Sequence, residues 1–398
     1  MTNLGEAVEA LIATQALPKP KREHVAAPKG WEPGVAWDGD HGTITTKPLT
    51  KRPDDWDDLL RVWDLDPEKY EVVEPVQYRA WDASMGEGNV KRLYYYRATI
   101  RERRGSDRTD VEALVNEVRR HKKPAYVPPT GDHAFVVALS DWQIGKEDSE
   151  ATVQRILAKI DAVADRAREL RKIGRALGTL YVLGLGDIVE MCSGFYAMQT
   201  FTTELTEREQ RTVARRLIVK ALTTWAPLFE RVVVAAVPGN HGENRNGDGK
   251  AYTTFGDSSD LEVFEQAHEI LAASDSYSHV SFVIPQNDLT LALDVQGTII
   301  GLAHGHQVRG GGTGAAAKVE DWWRKQQHGM RPVGEASILF TGHLHHLSIT
   351  QNGPRTHFQV PTLDSGSTWF EESAGVPSIA GMFTVVIGPN GWRDLAIL

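Results

Sequence analysis

Five short apolar runs between residues 134 and 346 each break off at a side chain able to bind a cation. That recurrence constrains the fold more than any other feature of the chain. The second run is the plainest. Tyr181-Val-Leu-Gly-Leu-Gly-Asp-Ile-Val-Glu190 reads as a buried strand whose Gly184 and Gly186 let the backbone turn sharply and deliver Asp187 to the strand tip. The other runs end in Ser140-Asp141-Trp142-Gln143-Ile144-Gly145, Pro238-Gly239-Asn240-His241-Gly242-Glu243-Asn244, Ala303-His304-Gly305-His306 and Thr341-Gly342-His343-Leu344-His345-His346. Open α/β sheets place their ligands outside the carboxyl ends of strands, where these residues would lie.

Between the runs the spacing turns helical at 150–173, 206–229, 259–273 and within 315–328. Strands are expected at 134–140, 180–186, 231–237, 280–284 and 337–341. Hairpins are expected over 289–303 and at Asn352-Gly353 and Asn390-Gly391. The fold class is therefore α/β, with two mixed β-sheets flanked by helices over 131–398. Upstream, 51–125 reads as a small α+β module. Its helix at 54–63 carries Trp56, Leu59, Leu60 and Trp63 on one face. Its basic strand at 91–104 alternates, with Tyr94, Tyr96, Ala98 and Ile100 on one side and Leu93, Tyr95, Arg97 and Arg101 on the other. Aromatics interleaved with arginine can stack bases and track phosphates, so this module is a candidate nucleic-acid binder. A half-buried strand with a solvated cationic face is the alternative. A helix follows over 107–123. Residues 1–50 are expected as a loosely ordered tail with a short helix near 6–15, and the proline-rich stretch at 123–131 as the domain boundary.

Composition removes several classes. With 398 residues, 41% hydrophobic and 24% charged, the chain can bury a sizeable core. A net charge of −9 supplies no global basic field to draw in nucleic acid. The single cysteine, Cys192, excludes an intramolecular disulfide and suits a reducing cytoplasm. No apolar run reaches the roughly 18 residues of a membrane span, and the first residues lack a secretory pattern. A soluble cytoplasmic protein with no membrane partner is expected. The oligomeric state stays open, a homodimer included.

Oxygen donors come early among the strand ends and imidazoles late. Carboxylate, amide and imidazole ligands together suit Mn²⁺, Fe or Zn²⁺ better than Ca²⁺, and without cysteine they do not make a structural zinc site. Such a set fits two divalent ions about 3.5–4 Å apart, the clamp that supports displacement at phosphorus. Two other motifs fail. After Gly184-x-Gly186, Val189 stands where a dinucleotide fingerprint needs glycine, and Gly247 is followed by Asp248 where a P-loop needs lysine.

The ordered strand ends resemble the motifs of the calcineurin-like metallophosphoesterase superfamily, D-x-H, G-D-x-x-[DE], G-N-H-[DE], a lone His and G-H-x-H, over about residues 133–346. The resemblance implies that Asp141, Gln143, Asp187 and His345 hold one metal. Asp187, Asn240, His304 and His343 would hold the other, with Asp187 bridging and His241 as the catalytic imidazole that assists the leaving oxygen. Mn²⁺ is favoured, with Mg²⁺, Fe or Zn²⁺ as alternatives.

Two positions depart from the pattern. Gln143 stands where the family usually has histidine. It reads as a weaker ligand, or else as a hydrogen-bonding group behind the ligands. Gly242 stands where an acid usually follows the motif histidine, and Glu243 is the candidate to orient His241 instead. Glu190 is open between supporting the ligands and charging a helix N-terminus. His306 and His346 are open between supporting the ligands and facing substrate. Arg245 is a candidate phosphate contact.

Ser140-Asp141-Trp142-Gln143-Ile144-Gly145 is similar to the opening of the SbcD-type DNA-repair nucleases. The expected function is a metal-dependent phosphodiesterase, a nuclease acting on DNA or RNA. The alternatives are a small-molecule phosphoesterase acting on nucleotides or cyclic nucleotides, and a catalytically silent binding subunit of the same fold.

Overall fold

The computed structural model describes residues 30–37, 41–53, 55–67, 69–84, 90–102, 107–122, 131–193, 196, 199–245, 253–308, 315–364 and 380–398. The helix expected near 6–15 and most of the proline-rich stretch, 123–130, lie outside them. The chain divides between Gly105 and Ser106 into two compact units.

The smaller unit is an antiparallel sheet of β1 (Gly34–Trp37), β2 (His41–Thr45), β3 (Tyr70–Ser84) and β4 (Val90–Glu102) in the order β1-β2-β4-β3. Helix α1 (Trp56–Arg61) starts where Asp55 accepts a hydrogen bond from the Asp58 amide. It buries Leu59 and Leu60 against Ile44, Tyr96 and Ile100. One sequence expectation changes here. Part of the stretch expected as a tail forms β1 and β2, because Trp31 and Ile44 are buried there. Trp31 lies under the guanidinium groups of Arg79 and Arg97, 5.0 and 4.7 Å from its ring. Strand β4 is half-buried: Leu93, Tyr95, Tyr96, Ala98 and Ile100 are buried, while Lys91 and Arg92 stay exposed. Cross-strand rings cover it, with Trp81 stacked on Tyr95 at 4.8 Å and Tyr78 on Tyr96 at 6.0 Å.

The larger unit begins with α2 (Asp107–Arg120), which the sequence reading assigned to the N-terminal module. Its buried Asp110 pairs with Arg215 and Arg216, and Leu114 and Val118 enter the large core. The boundary therefore falls ahead of this helix and not at the prolines.

A six-stranded mixed sheet organises the unit. Strands β5 (His133–Leu139), β6 (Leu177–Gly184), β7 (Arg231–Ala236) and β8 (Val280–Val283) run parallel. Strands β14 (Phe383–Gly388) and β15 (Gly391–Ile397) extend it antiparallel beyond β5. Helices α3 (Ser149–Lys172), α4 (Glu207–Trp225) and α5 (Ser259–Ala272) cover one face. Helix α4 opens with the Thr206–Glu209 capping box that its sequence spells out. Along β5 the side chains alternate. Phe135, Val137 and Leu139 pack towards the helices, while Ala134, Val136 and Ala138 pack towards a second sheet. The small side chains on that second face let two sheets approach closely.

The second sheet contains β9 (Thr290–Val295), β10 (Thr298–Ala303), β11 (Ile338–Thr341), β12 (Ser348–Asn352) and β13 (Arg355–Gln359), in the order β12-β13-β11-β10-β9. Ile300, Leu302, Phe340 and Phe358 meet the first sheet, and α6 (Ala315–His328) covers the outer face through Val319 and Trp323. The result is the expected α/β sandwich of two mixed sheets between helices. Among the described residues no helix is long and apolar enough to cross a membrane.

Candidate metal centre

The five motifs leave the carboxyl ends of β5, β6, β7, β10 and β11 and meet along the seam between the two sheets. The first two loops keep pairing after their strands end. Asp141 N–H donates to Gly186 O at 3.1 Å, Gln143 N–H to Asp187 O at 2.9 Å and Ile144 N–H to Ile188 O at 3.0 Å. The second sheet is stitched on by side chains. His343 N–H donates to the Asp141 carboxylate at 3.0 and 3.2 Å, and the His304 ring reaches Leu185 O at 2.6 Å.

Asp141, Gln143, Asp187, His343 and His345 all have positive φ, from 43° to 72°. Left-handed backbone costs on the order of 1–3 kcal/mol per residue outside glycine, and such residues gather at ligand sites. Gly239 shows why that cost is stable here: a Cβ on it would lie 2.0 Å from Asp187 Oδ1, so the second and third loops touch backbone to carboxylate.

His304 carries the argument for a cation. It is fully buried. With its Nδ1–H donated to Leu185 O, the neutral ring turns its Nε2 lone pair on two further acceptors, Asp187 Oδ2 at 2.9 Å and Asn240 Oδ1 at 3.1 Å. Three electron pairs converging in a dry place demand positive charge. Burial opposes the imidazolium, yet the Asp187 carboxylate prevails and lifts the His304 pKa to about 9. A proton answers the demand, and so would a divalent ion.

His343 completes a group in which one ligand atom each from Asp187, His304 and His343 lies within 4.8 Å of the others. Burial, and then the neighbouring His304, push the His343 pKa down to about 4, so its lone pair is available at neutral pH. Asp187 titrates far below the usual carboxylate range: burial works against this, but His304 and His241 outweigh it. These donors, together with Asn240, fit a transition metal.

A second group adjoins the first. Asp141 Oδ1 lies 3.2 Å from His345 Nε2, and His345 Nδ1 lies 3.7 Å from Asp364. Burial opposes charge on His345, but Asp141 and Asp364 raise its pKa. Gln143 stands between neighbours: its Oε1 accepts from Lys146 Nζ at 3.2 Å and its Nε2 lies 3.4 Å from His241 Nε2. Lys146 also pairs with Asp364.

His241 sits beside both groups, its Nε2 3.9 Å from Asp187 Oδ2. Its Nδ1 lies 3.0 Å from Glu190 Oε2, a charge pair and not a linear hydrogen bond. Burial disfavours the imidazolium, but Asp187 and Glu190 together raise its pKa to about 9. The acid beside His241 is thus Glu190, while Glu243 pairs with Arg245. Tyr196 O–H donates to the other Glu190 oxygen at 2.9 Å. Arg245 is also turned inward, 3.5 Å from Asn240 O.

His306 stands with its ring 5.5 Å from that of His304 and its Nδ1 buried with no hydrogen-bond partner among the described residues. Burial and then His304 push its pKa down to about 3. His346 is tied to Leu344 O at 2.7 Å and to Gln359.

Three contributors escaped the sequence reading. Lys146 and Asp364 carry the pair beneath Gln143, and a sixth strand end was the available signal for Asp364: β13 leads into Val360, Thr362 and Asp364. Asp260, on α5, is the third. Its fully buried carboxylate accepts from the backbone N–H of Asp187, Ile188, Val189 and Gly239 at 2.8–3.2 Å.

No family model and no curated protein matches the sequence. Solved structures do. A Streptococcus pneumoniae TIGR4 protein described as a predicted phosphoesterase is 14% identical, with a TM-score of 0.27, over 66% of this chain and 84% of its own. Vps29 from Entamoeba histolytica, solved with Zn²⁺, is 13% identical, with a TM-score of 0.30, over 66% and 98%. An archaeal phosphodiesterase is 9% identical, with a TM-score of 0.30, over 66% and 99%. At these values the likenesses carry no argument about fold or activity. The sandwich of two mixed sheets, with five ligand-bearing strand ends meeting at its seam, is the α/β architecture expected from the motifs.

Proposed function

We propose that this chain is a metal-dependent phosphodiester hydrolase that cleaves DNA or RNA with two divalent cations, Mn²⁺ by preference. Asp187, Asn240, His304 and His343 would hold one cation, and Asp141, Gln143, Asp187 and His345 the other. Bound there, the cations supply Lewis-acid charge to phosphoryl oxygens and lower the pKa of water. The chain's own part is orientation and proton transfer. Glu190 and Asp187 keep His241 protonated at neutral pH, with Nε2 turned to the side where the donors converge. The imidazolium can then give its Nε2 proton to a departing alkoxide.

The observation that supports this reading best is the facing of His304 Nε2 onto two oxygen acceptors beside a charged His241–Glu190 pair. Chelator-stripped protein should hydrolyse a bis-aryl phosphodiester and nucleic acid only when Mn²⁺, or less well Mg²⁺ or Zn²⁺, is restored. Metal binding without hydrolysis of any phosphodiester would instead establish the silent-subunit reading.

One observation favours a smaller substrate. In the basic strand β4, Arg92 pairs with Asp82 at 3.4 Å and Arg101 with Glu71 at 2.6 Å, which spends cations that would otherwise meet phosphates. A panel of single-stranded DNA, duplex DNA, RNA, mononucleotides and cyclic nucleotides decides between polymer and nucleotide.

A further inference from the structure

We propose that Asp260 is the positioning residue of the metal centre and that it takes over, from a distant helix, the place of the acid missing at position 242. The inference rests on the metal-centre reading above. Asp260 lies in the first turn of α5, and its carboxylate is entirely buried. One oxygen accepts the amides of Asp187 at 2.9 Å and Gly239 at 2.9 Å. The other accepts those of Ile188 at 2.8 Å and Val189 at 3.2 Å. All four donors belong to the loops after β6 and β7, which carry Asp187, Asn240 and His241. A single anion therefore fixes the left-handed backbone of Asp187, whose φ is 52°, and its separation from Asn240. Charge-assisted bonds to backbone amides are the strong kind, and a dry site strengthens them further.

Position 242 supplies the second observation. A Cβ built on Gly242 would lie 2.4 Å from Asp260 Cγ and 2.5 and 2.7 Å from its two oxygens. An aspartate spaces its own carboxylate oxygens about 2.4 Å from its Cβ, by ordinary bond lengths. The Asp260 oxygens thus lie at about the reach that the oxygens of an aspartate at 242 would have. The two positions compete for one volume, so glycine at 242 and aspartate at 260 form one solution. A single carboxylate fits this volume, and in this chain Asp260 bears it. Backbone supports this: Ser259 N–H donates to Gly242 O at 2.7 Å, locking the start of α5 against the third loop.

The test uses the full chain and four proteins: wild type, Asp260→Asn, Asp260→Ala and the exchange Asp260→Ala with Gly242→Asp. Mn²⁺ affinity is read from the metal-induced rise in melting temperature and by calorimetry, with bis-aryl phosphodiester hydrolysis beside them. Asp260→Asn keeps the volume, but whichever way it turns its amide NH₂ faces two of the four backbone donors. It should weaken Mn²⁺ binding by about 10- to 100-fold, the loss typical of partners that orient ligands. Asp260→Ala should lose at least as much. The exchange should recover most of the Mn²⁺ affinity and the hydrolysis. Asp260→Asn that binds Mn²⁺ like the wild type overturns the proposal, and so does an exchange no better than Asp260→Ala. Wild-type protein that shows no Mn²⁺ response refutes the metal centre itself, a result separable from failure at Asp260 alone.

Discussion

Replacing Glu190 by glutamine should separate the proton-transfer role of His241 from metal binding. The Glu190 side chain is 1% exposed and its oxygen is 3.0 Å from His241 Nδ1. At an effective dielectric of about 20, that pair is worth roughly 5 kcal/mol, against roughly 4 kcal/mol for Asp187 at its longer distance. Raising the imidazole from 6.5 to about 9 needs a net gain of about 3 kcal/mol after burial has taken its share. Loss of the Glu190 charge removes more than that gain, and a cation on Asp187 weakens the remaining support.

The imidazolium is the acid, so activity should fall as pH rises through its pKa. The alkaline limb should therefore sit below pH 9 in the wild type, because a cation on Asp187 takes part of that support, and about two or more pH units lower still in Glu190→Gln. The rate on a dinucleotide, whose alkoxide needs a proton, should drop by about 100-fold, within the usual span for general acid catalysis. A bis(nitrophenyl) diester, whose phenolate leaves without one, should lose less than about tenfold. Metal content should not change. Equal losses on both substrates, or an alkaline limb that does not move, would falsify the assignment.

Other consequences are simpler to measure. His304→Gln should lose Mn²⁺ by at least the roughly 10- to 100-fold that an orienting partner costs, read by metal analysis after dialysis; full retention would show that the ring is not a ligand. His357 is buried, and burial depresses its pKa to about 4 while its ring keeps a 2.8 Å bond to the Thr341 hydroxyl. Its stabilising contribution is complete above its unfolded pKa near 6.5 and drains away as pH falls towards 4. Urea midpoints between pH 7.5 and pH 5 should therefore register a loss of about 2 kcal/mol that His357→Gln escapes, and matching losses in both proteins would contradict this. In the smaller unit, exposed Tyr78 lies under the Arg52 guanidinium at 5.7 Å. If that unit grips single strands, Tyr78→Ala should raise KM on single-stranded DNA by about five- to tenfold, the low end of one base–aromatic stack, with diester hydrolysis untouched. An unchanged KM would remove this face from substrate binding.

What the sequence disclosed and what it concealed follow from the range of the forces involved. The strand tips were legible because each is a local event: an apolar run, a glycine, then a ligand, as in Gly186-Asp187 or Gly239-Asn240. The two-sheet sandwich was legible for the same reason, through strand spacing and the Asn352-Gly353 and Asn390-Gly391 turns, which close β12 on β13 and β14 on β15. The extent of the first unit was hidden because Asp110 looks like an ordinary surface acid until α2 lies against Arg215. Glu243 looked like the partner of His241 by adjacency, but side chains one or two positions apart in a turn point different ways. Glu190, 51 positions upstream by numbering, arrives on the paired loop instead.

Asp260 is the strongest instance. By local pattern it is an acid in the first turn of a helix, behind a serine cap, where acids are common because they suit the helix dipole. Only the approach of α5 to two strand ends gives it four backbone donors. Yet its trace was in the sequence as an omission, the glycine at 242 where the motif wants an acid. A missing charge at a dry, donor-rich turn must be made good from elsewhere, because backbone N–H groups that are buried unpaired cost more than the fold can spare. Departures from a motif of this kind are therefore best followed by asking which buried donors they leave unanswered, and then which distant carboxylate has no other reason to be buried.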